Sequence, residues 1–148
     1  MIKSVLDYLE HVAKEYPDKP AYIDEFKRIT FGELKVNALK IAAGMVDDVF
    51  IGTPVMVYME KCVECIEGFL GVLYTGAFYV PIDITMPYAR VKLIMDTLES
   101  RVVLTRRCDN IPDEIVDSCK IFYLEDLLEE LVGDIQDESD TGEGLQLQ

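Results

Sequence analysis

Apolar residues recur at helical spacing from the start of the chain. Ile2, Val5, Leu6, Leu9, Val12 and Ala13 fall on one face of an amphipathic helix. "EYPDKP" ends that helix with two prolines. "AYID" and "RITF" then read as short strands around a charged turn. Thr30 can cap the next helix, and Glu33 three residues on completes a capping-box pattern. Leu34, Ala38, Ile41, Ala42 and Met45 give that helix its apolar face. "IGT" breaks the chain before "PVMVYM", a continuous apolar run that predicts a buried strand.

The run Lys61–Tyr74 is apolar nearly all round, which predicts a helix enclosed on most sides. Its polar residues are Glu60, Glu64 and Glu67, a single stripe at i, i+4 and i+7. Gly76 suits its C-terminal cap. "FYVPID" is the next strand, and Pro81 inside it marks an edge, a bulge or the strand's exit, because it has no N–H for a ladder. Pro87 fits the first position of a further helix, with Val91, Ile94, Met95 and Leu98 turned inward. "RVVLT" and "CKIFYL" are strands separated by an irregular segment, and "EDLLEELV" is a short helix. From Pro54 the alternation of strands and helices predicts an α/β fold with a mostly parallel sheet flanked by helices. The expected organisation is one α/β subdomain over 1–132 and an acidic, flexible tail over 133–148.

Composition sharpens this only in part. The chain has 148 residues and a formal net charge of −14. Nine acids follow Lys120, the last basic residue, so everything before them carries about −5, and the acidity is largely a property of the C-terminal end. No basic stripe suited to nucleic acid appears, and the Arg106–Arg107 pair in "TRRC" reads as a solvated strand end. No apolar run approaches the ~18 residues of a membrane span, and the N-terminus lacks the pattern of a signal peptide. The cytoplasm is the default location.

Candidate chemistry is sparse. Cys62 and Cys65 form C-x-x-C where a strand hands over to a helix, the placement of a redox pair whose thiolate gains from the helix N-terminus. The intervening Val63 and Glu64 are unlike the Gly-Pro of typical redox pairs, so two small apolar side chains on a buried helix is the better reading. Cys108 and Cys119 lack the spacing of a second zinc half-site. The lone His11 lies among charged residues of the first helix and reads as a surface residue. Asp83 follows a strand and precedes a helix, where α/β folds often place a functional carboxylate, although an Asp there also caps turns. No glycine-rich phosphate motif of either common type occurs, and "DTGEG" is surrounded by acids.

"LGVLYTGAFYVPIDITMPYARVKLIMDTLESRVVLT" resembles the second core motif of amino-acid adenylation domains and the chain that follows it. These domains belong to the acyl-adenylate-forming (AMP-binding) superfamily, as in nonribosomal peptide synthetases and D-alanine–carrier protein ligases. Gly76, Tyr79, Val80, Pro81, Ile82, Asp83, Pro87 and Arg90 match the motif. "ITFGEL", "YPDKPAYID" and "VMVYMEKCVECIEGFLGVL" resemble the family's preceding segments, in order. Thr75, Phe78 and Ile84 depart from it. The resemblance implies an incomplete N-terminal subdomain of the adenylate-forming fold. For the parent enzyme it implies ATP, Mg²⁺ and a carrier protein bearing phosphopantetheine.

The family's phosphate loop, substrate pocket and catalytic Lys come later than the matched region. The chain is therefore expected to be an N-terminal fragment, inactive alone, whose motif residues are structural and whose catalytic, cofactor-binding and metal positions are none. Its first partner would be the rest of the adenylation domain. Two alternatives stand beside this reading: a thiol redox domain using Cys62 and Cys65, and a non-catalytic module that forms homo-oligomers through exposed apolar surface.

Overall fold

The computed structural model describes residues 4–129. Helix α1 (Val5–Glu15) is capped by Ser4, whose side chain accepts from the Asp7 N–H. Strands β1 (Pro20–Ile23) and β2 (Arg28–Thr30) form an antiparallel hairpin. Thr30 caps α2 (Phe31–Met45) through the reciprocal Thr30–Glu33 capping box anticipated from the sequence. Then follow β3 (Pro54–Tyr58), α3 (Val63–Tyr74), β4 (Phe78–Ile82), α4 (Tyr88–Leu98), β5 (Val102–Thr105), α5 (Asp113–Ser118) and β6 (Lys120–Tyr123). Residues 124–129 are helical. The expected tail over 133–148 and the ends of the expected 1–132 subdomain, including Ile2, lie outside the described residues.

The four-stranded sheet is parallel throughout, in the order β4-β3-β5-β6. The chain runs from β3 to one neighbour, β4, and then crosses back to the other, β5. Its helices therefore fall on opposite faces. On one face Val55, Val57 and Leu104 pack with Ile41 and Met45 of α2 and with Cys65 and Val72 of α3. On the other, Met56, Tyr58 and Val103 pack with Val91 and Met95 of α4 and Ile115 of α5. Strands covered on both faces read as continuous apolar runs, which is why "PVMVY" and "VVLT" were visible as strands. A third cluster lets α1 and the hairpin cover the outer side of α2 and α3, through Leu9, Ile29, Leu34, Val63 and Leu70.

Side-chain hydroxyls stitch the two central strands together at both ends. Ser100 Oγ donates to the Pro54 carbonyl at 2.8 Å, and Thr105 Oγ1 donates to the Tyr58 carbonyl at 2.7 Å. Both residues are fully buried. Helix α3 ends at Thr75 and the chain turns at Gly76, whose φ of +87° is the left-handed conformation that glycine tolerates. Thr75, where the family motif usually has Ala, is a capping group: its Oγ1 donates to the Val72 carbonyl and accepts from the Ala77 N–H.

Several expectations change. The segment between β5 and β6 contains a helix, α5, where irregular chain was expected. Its six residues bury a single apolar side chain, Ile115, so no period could reveal it. The signal was Pro112 followed by the acids Asp113 and Glu114 in the first turn. Pro87 is the residue before α4 rather than its first, a position where its missing N–H still costs nothing. Leu98 is 38% exposed instead of facing inward, because α4 ends there, with Glu99 in the left-handed conformation.

Helices α2 and α3 approach closely at Gly71. A Cβ there would meet the Ile41 side chain and lie 3.2 Å from the Ala38 carbonyl oxygen. Gly71→Ala is therefore expected to lower stability by about 1–2 kcal/mol in urea denaturation, although Ala is intrinsically the better helix former by about 1 kcal/mol. A rise in the urea midpoint would contradict this close approach.

Candidate functional site

Parallel sheets present their binding sites at the carboxyl ends of the strands, above all where the chain's crossovers change direction. Here that point lies between β3 and β5. Met59–Lys61 and Arg106–Cys108 leave the sheet there, and a groove at this position is lined by Lys27, Cys62, Glu64, Arg106, Cys108 and Leu128, among others. A neighbouring crevice of about 740 Å³ lies over the ends of β3 and β4. Tyr22, Met59, Ile66, Phe69, Ile84 and Met86 give it largely apolar walls, and Lys61 and Asp83 stand among its polar residues.

The N-terminus of α3 separates these two depressions. Its first residues expose backbone N–H groups, and Cys62 in the capping position provides no side-chain acceptor. The acceptor comes from elsewhere in the chain. Asp24, at the turn of the β1–β2 hairpin, takes the Val63 N–H at 2.8 Å on Oδ2, and the Phe26 and Lys27 N–H groups at 2.7 and 2.8 Å on Oδ1. These backbone hydrogen bonds, that from Val63 foremost, hold the Asp24 carboxyl below its usual range.

Charged side chains gather around the same helix end. Lys27 lies 2.8 Å from Glu64, and Arg106 reaches Glu64 at 3.1 Å. Arg106 also holds Asp109 with two hydrogen bonds, of 2.6 and 2.9 Å. Burial would raise the Glu64 carboxyl, but the hydrogen bond from Lys27 and the charge beside it hold it below the usual range. Sequence reasoning placed Arg106 and Arg107 at a solvated edge. Arg107 is there, paired with Asp126 at 2.6 Å, but Arg106 is mostly enclosed between its two carboxylates. Glu67, expected on a polar stripe, is also fully buried, with Asn37 donating to its Oε2. The i, i+4, i+7 spacing describes only the helix's own geometry, and the partners Asn37 and Lys27 come from elements that no local pattern connects to it.

The motif residues mostly build the strand–turn–helix unit beside the crevice. The Tyr79 ring stacks on Phe69 of α3 at 4.2 Å. Val80 packs on the α4 face and Ile82 is buried. Pro81 stands on the edge strand β4, opposite Val57. Asp83 closes the turn after β4: its Oδ1 accepts from the Thr85 N–H at 2.9 Å and the Thr85 hydroxyl at 2.8 Å. Those bonds, led by the backbone one, hold its carboxyl below the usual range. Ile84, a departure from the motif, accepts the Tyr58 hydroxyl on its carbonyl at 3.3 Å. Pro87 precedes α4 in the capping position, and Arg90 is exposed on that helix. His11 is exposed on α1.

Most charged groups at the two depressions are already engaged within the chain, and Lys61, which lines both, makes no ion pair among the described residues. Arg106 is committed to two carboxylates, Asp83 to its own turn, and no group of three or more His, Cys, Asp or Glu among the described residues is placed to hold a metal ion. The setting of the two helix cysteines runs against the redox alternative. Cys62 and Cys65 are buried, and burial pushes their thiols up to about 12 and about 11, the reverse of an activated thiolate. The Cys62 thiol donates to the Glu60 carbonyl at 3.1 Å.

Comparison with known proteins locates this arrangement. The family model described as "AMP-binding enzyme" matches residues 9–144. The chain is 34% identical over 106 residues to tyrocidine synthase 1 of Brevibacillus parabrevis, covering 71% of this chain and 10% of that protein. It is 30% identical over 104 residues to the D-alanine–D-alanyl carrier protein ligase of Lacticaseibacillus rhamnosus, covering 70% and 21%. The fold superposes on the N-terminal subdomain of Klebsiella oxytoca NpsA with a TM-score of 0.74 and 20% identity, over 86% of this chain and 33% of that one. The chain thus spans about a tenth to a fifth of the length of these two curated relatives.

A thiol reagent at mild alkaline pH is expected to label exposed Cys108 promptly and the half-buried Cys119 more slowly. Cys62 and Cys65 should react only after denaturation. Rapid native-state labelling of either would restore the redox reading.

Proposed function

The chain belongs to the AMP-binding enzyme family, and from that membership we propose that it is the N-terminal part of an ATP-dependent ligase that activates an amino acid. The reaction class is attack of the amino acid's carboxylate on the α-phosphate of ATP, expelling pyrophosphate. The acyl group is then transferred from the adenylate to a thiol, releasing AMP. We assign that thiol to the phosphopantetheine arm of a carrier protein, a reading supported by likeness to a ligase named for its carrier. ATP and Mg²⁺ belong to the whole ligase, and its chemistry to parts other than residues 4–129. We take 1–132 as the family subdomain and 133–148 as a separate acidic segment.

The observation that carries this reading is the family match over residues 9–144, with the "YVPID" strand, its Asp83 turn and the helix that follows Pro87 assembled in one unit. In this role Gly76, Tyr79, Val80, Pro81, Asp83, Pro87 and Arg90 build the strand, turn and helix beside the crevice, which Pro81 and Asp83 line, and take no part in bond making. Four free cysteines suit a reducing compartment, and no described helix is long and apolar enough to cross a membrane. We place the protein in the cytoplasm on these grounds.

A second reading, a self-associating non-catalytic module, draws on exposed apolar side chains. Phe26, Phe50 and Ile51 are 87%, 75% and 91% exposed. Sedimentation showing a clean monomer at high concentration would remove it.

Amino-acid-dependent ATP–pyrophosphate exchange tests the first reading. The 148-residue chain is expected to give no exchange with any proteinogenic amino acid or D-alanine. A longer protein that joins this sequence to the remaining adenylation segments is expected to give it. Exchange by the short chain, or none by the longer one, would overturn the proposal.

A further inference from the structure

Glu67 is an ionisable group that the fold encloses completely and that the reading above does not use. Among the described residues its Oε1 is the buried side-chain oxygen without a hydrogen-bond partner. The nearest cation is Lys27, 3.9 Å away, and Lys27 makes its close pair with Glu64 at 2.8 Å instead. Lys27 sits at the turn of the β1–β2 hairpin, three residues from Asp24, which caps α3 through the Val63 N–H. The hairpin tip is therefore held to α3 by two anchors, Asp24 and Lys27, and one of them stands over a buried carboxyl.

We propose that Glu67 is a proton-controlled latch for the hairpin: protonated, it lets the tip lie closed on α3, and on losing its proton it opens the tip to admit water.

The geometry decides which part moves. Water can reach Oε1 by parting α3 from α2 or by lifting the hairpin tip. The first route breaks the close approach of Gly71 to Ile41 and the Asn37–Glu67 hydrogen bond. The second breaks the Asp24 and Lys27 contacts of a turn whose Phe26 is 87% exposed. The hairpin tip is the weaker seal.

The charges around Glu67 set the sign. The hairpin presents Lys27, with Asp24 beside it. Helix α2 presents Asn37 and, farther off, Glu33. Helix α3 itself presents Glu64, shared with Arg106, which also holds Asp109. Two turns along α3, Tyr74 donates to Glu10, which pairs with Lys35. Burial raises the Glu67 carboxyl above its usual range, against the Asn37 hydrogen bond and the Lys27 charge, and with the help of Glu64 and Glu33. The closed state, Lys27 included, thus holds the Glu67 proton more tightly than a water-exposed state would.

By linkage, closure is strongest below the ordinary carboxylate pKa and weakens as pH rises through the raised one. Asp24 and Glu64 act with the opposite sign. Their carboxyls are lowered in the closed state, so they favour closure above the ordinary range and lose it as pH falls through their lowered pKa values. Attachment of the tip is greatest between those limits. The consequence reaches the groove, since Asp24, Phe26 and Lys27 of the tip line it.

The Val63 amide is the reporter, because its hydrogen bond to Asp24 breaks when the tip lifts. Its exchange protection, normalised to the sheet amide of Val103, would be followed by NMR across acid to mildly alkaline pH on the full chain and on Glu67→Gln. A closed-to-open pKa difference of one unit changes the opening equilibrium about tenfold. Wild-type protection is expected to fall severalfold as pH rises through the Glu67 titration, and Glu67→Gln is expected to be flat there. The wild-type Glu67 carboxyl carbon, followed in the same samples, should titrate with the midpoint of the Val63 loss. A Glu67→Gln profile that tracks wild type overturns the latch. So does a Glu67 carboxyl that titrates in the ordinary range, or one whose midpoint Val63 does not share. These last two results come from wild type alone and decide the matter even if the variant fails to fold.

Discussion

Helix α3 is closed in on almost every side, and its N-terminus has no side-chain cap of its own. Both demands must be met by distant segments of the chain. Asp24 reaches across 39 positions to accept the Val63 N–H, and the hairpin that carries Asp24 exists in that place because Ile29 packs with Val63, Leu70 and the α2 residues Leu34 and Ala38. Gly71 lets α2 come close enough for Ile41 to reach the sheet core. The hairpin, α2 and the first face of the sheet all register on this one helix, so its capping and its packing are a single constraint.

The same helix end divides the functional landscape. On one side is the apolar crevice over β3 and β4. On the other is the charged groove at the crossover between β3 and β5. Ion pairs on the groove side take up Lys27 and Arg106, the two cations that meet Glu64 there.

The strands buried on both faces were legible because a covered parallel strand must be apolar along its length. The Thr30–Glu33 box and the Gly76 turn were legible because capping is local. The motif around "YVPID" was legible as wording, and the family match over 9–144 agrees with it. Helix α5 was not, since one buried Ile115 in six residues carries no period. Arg106 and Glu67 were misplaced for a common reason. Polar residues are assigned to the surface by default; Arg106 is partly enclosed between nearby Asp109 and distant Glu64, and Glu67 is fully buried against Asn37, with Lys27 near it, both far along the chain.

What the sequence determined by itself is whatever depends on neighbours within a few residues: the helix faces, the caps, the strand runs and the family wording. The strand order β4-β3-β5-β6, the Asp24 cap on α3 and the enclosure of Glu67 belong to the tertiary structure alone. These three features join positions dozens of residues apart. Burial and electrostatics act through distance in space, and a linear pattern of apolar and polar residues does not contain that distance.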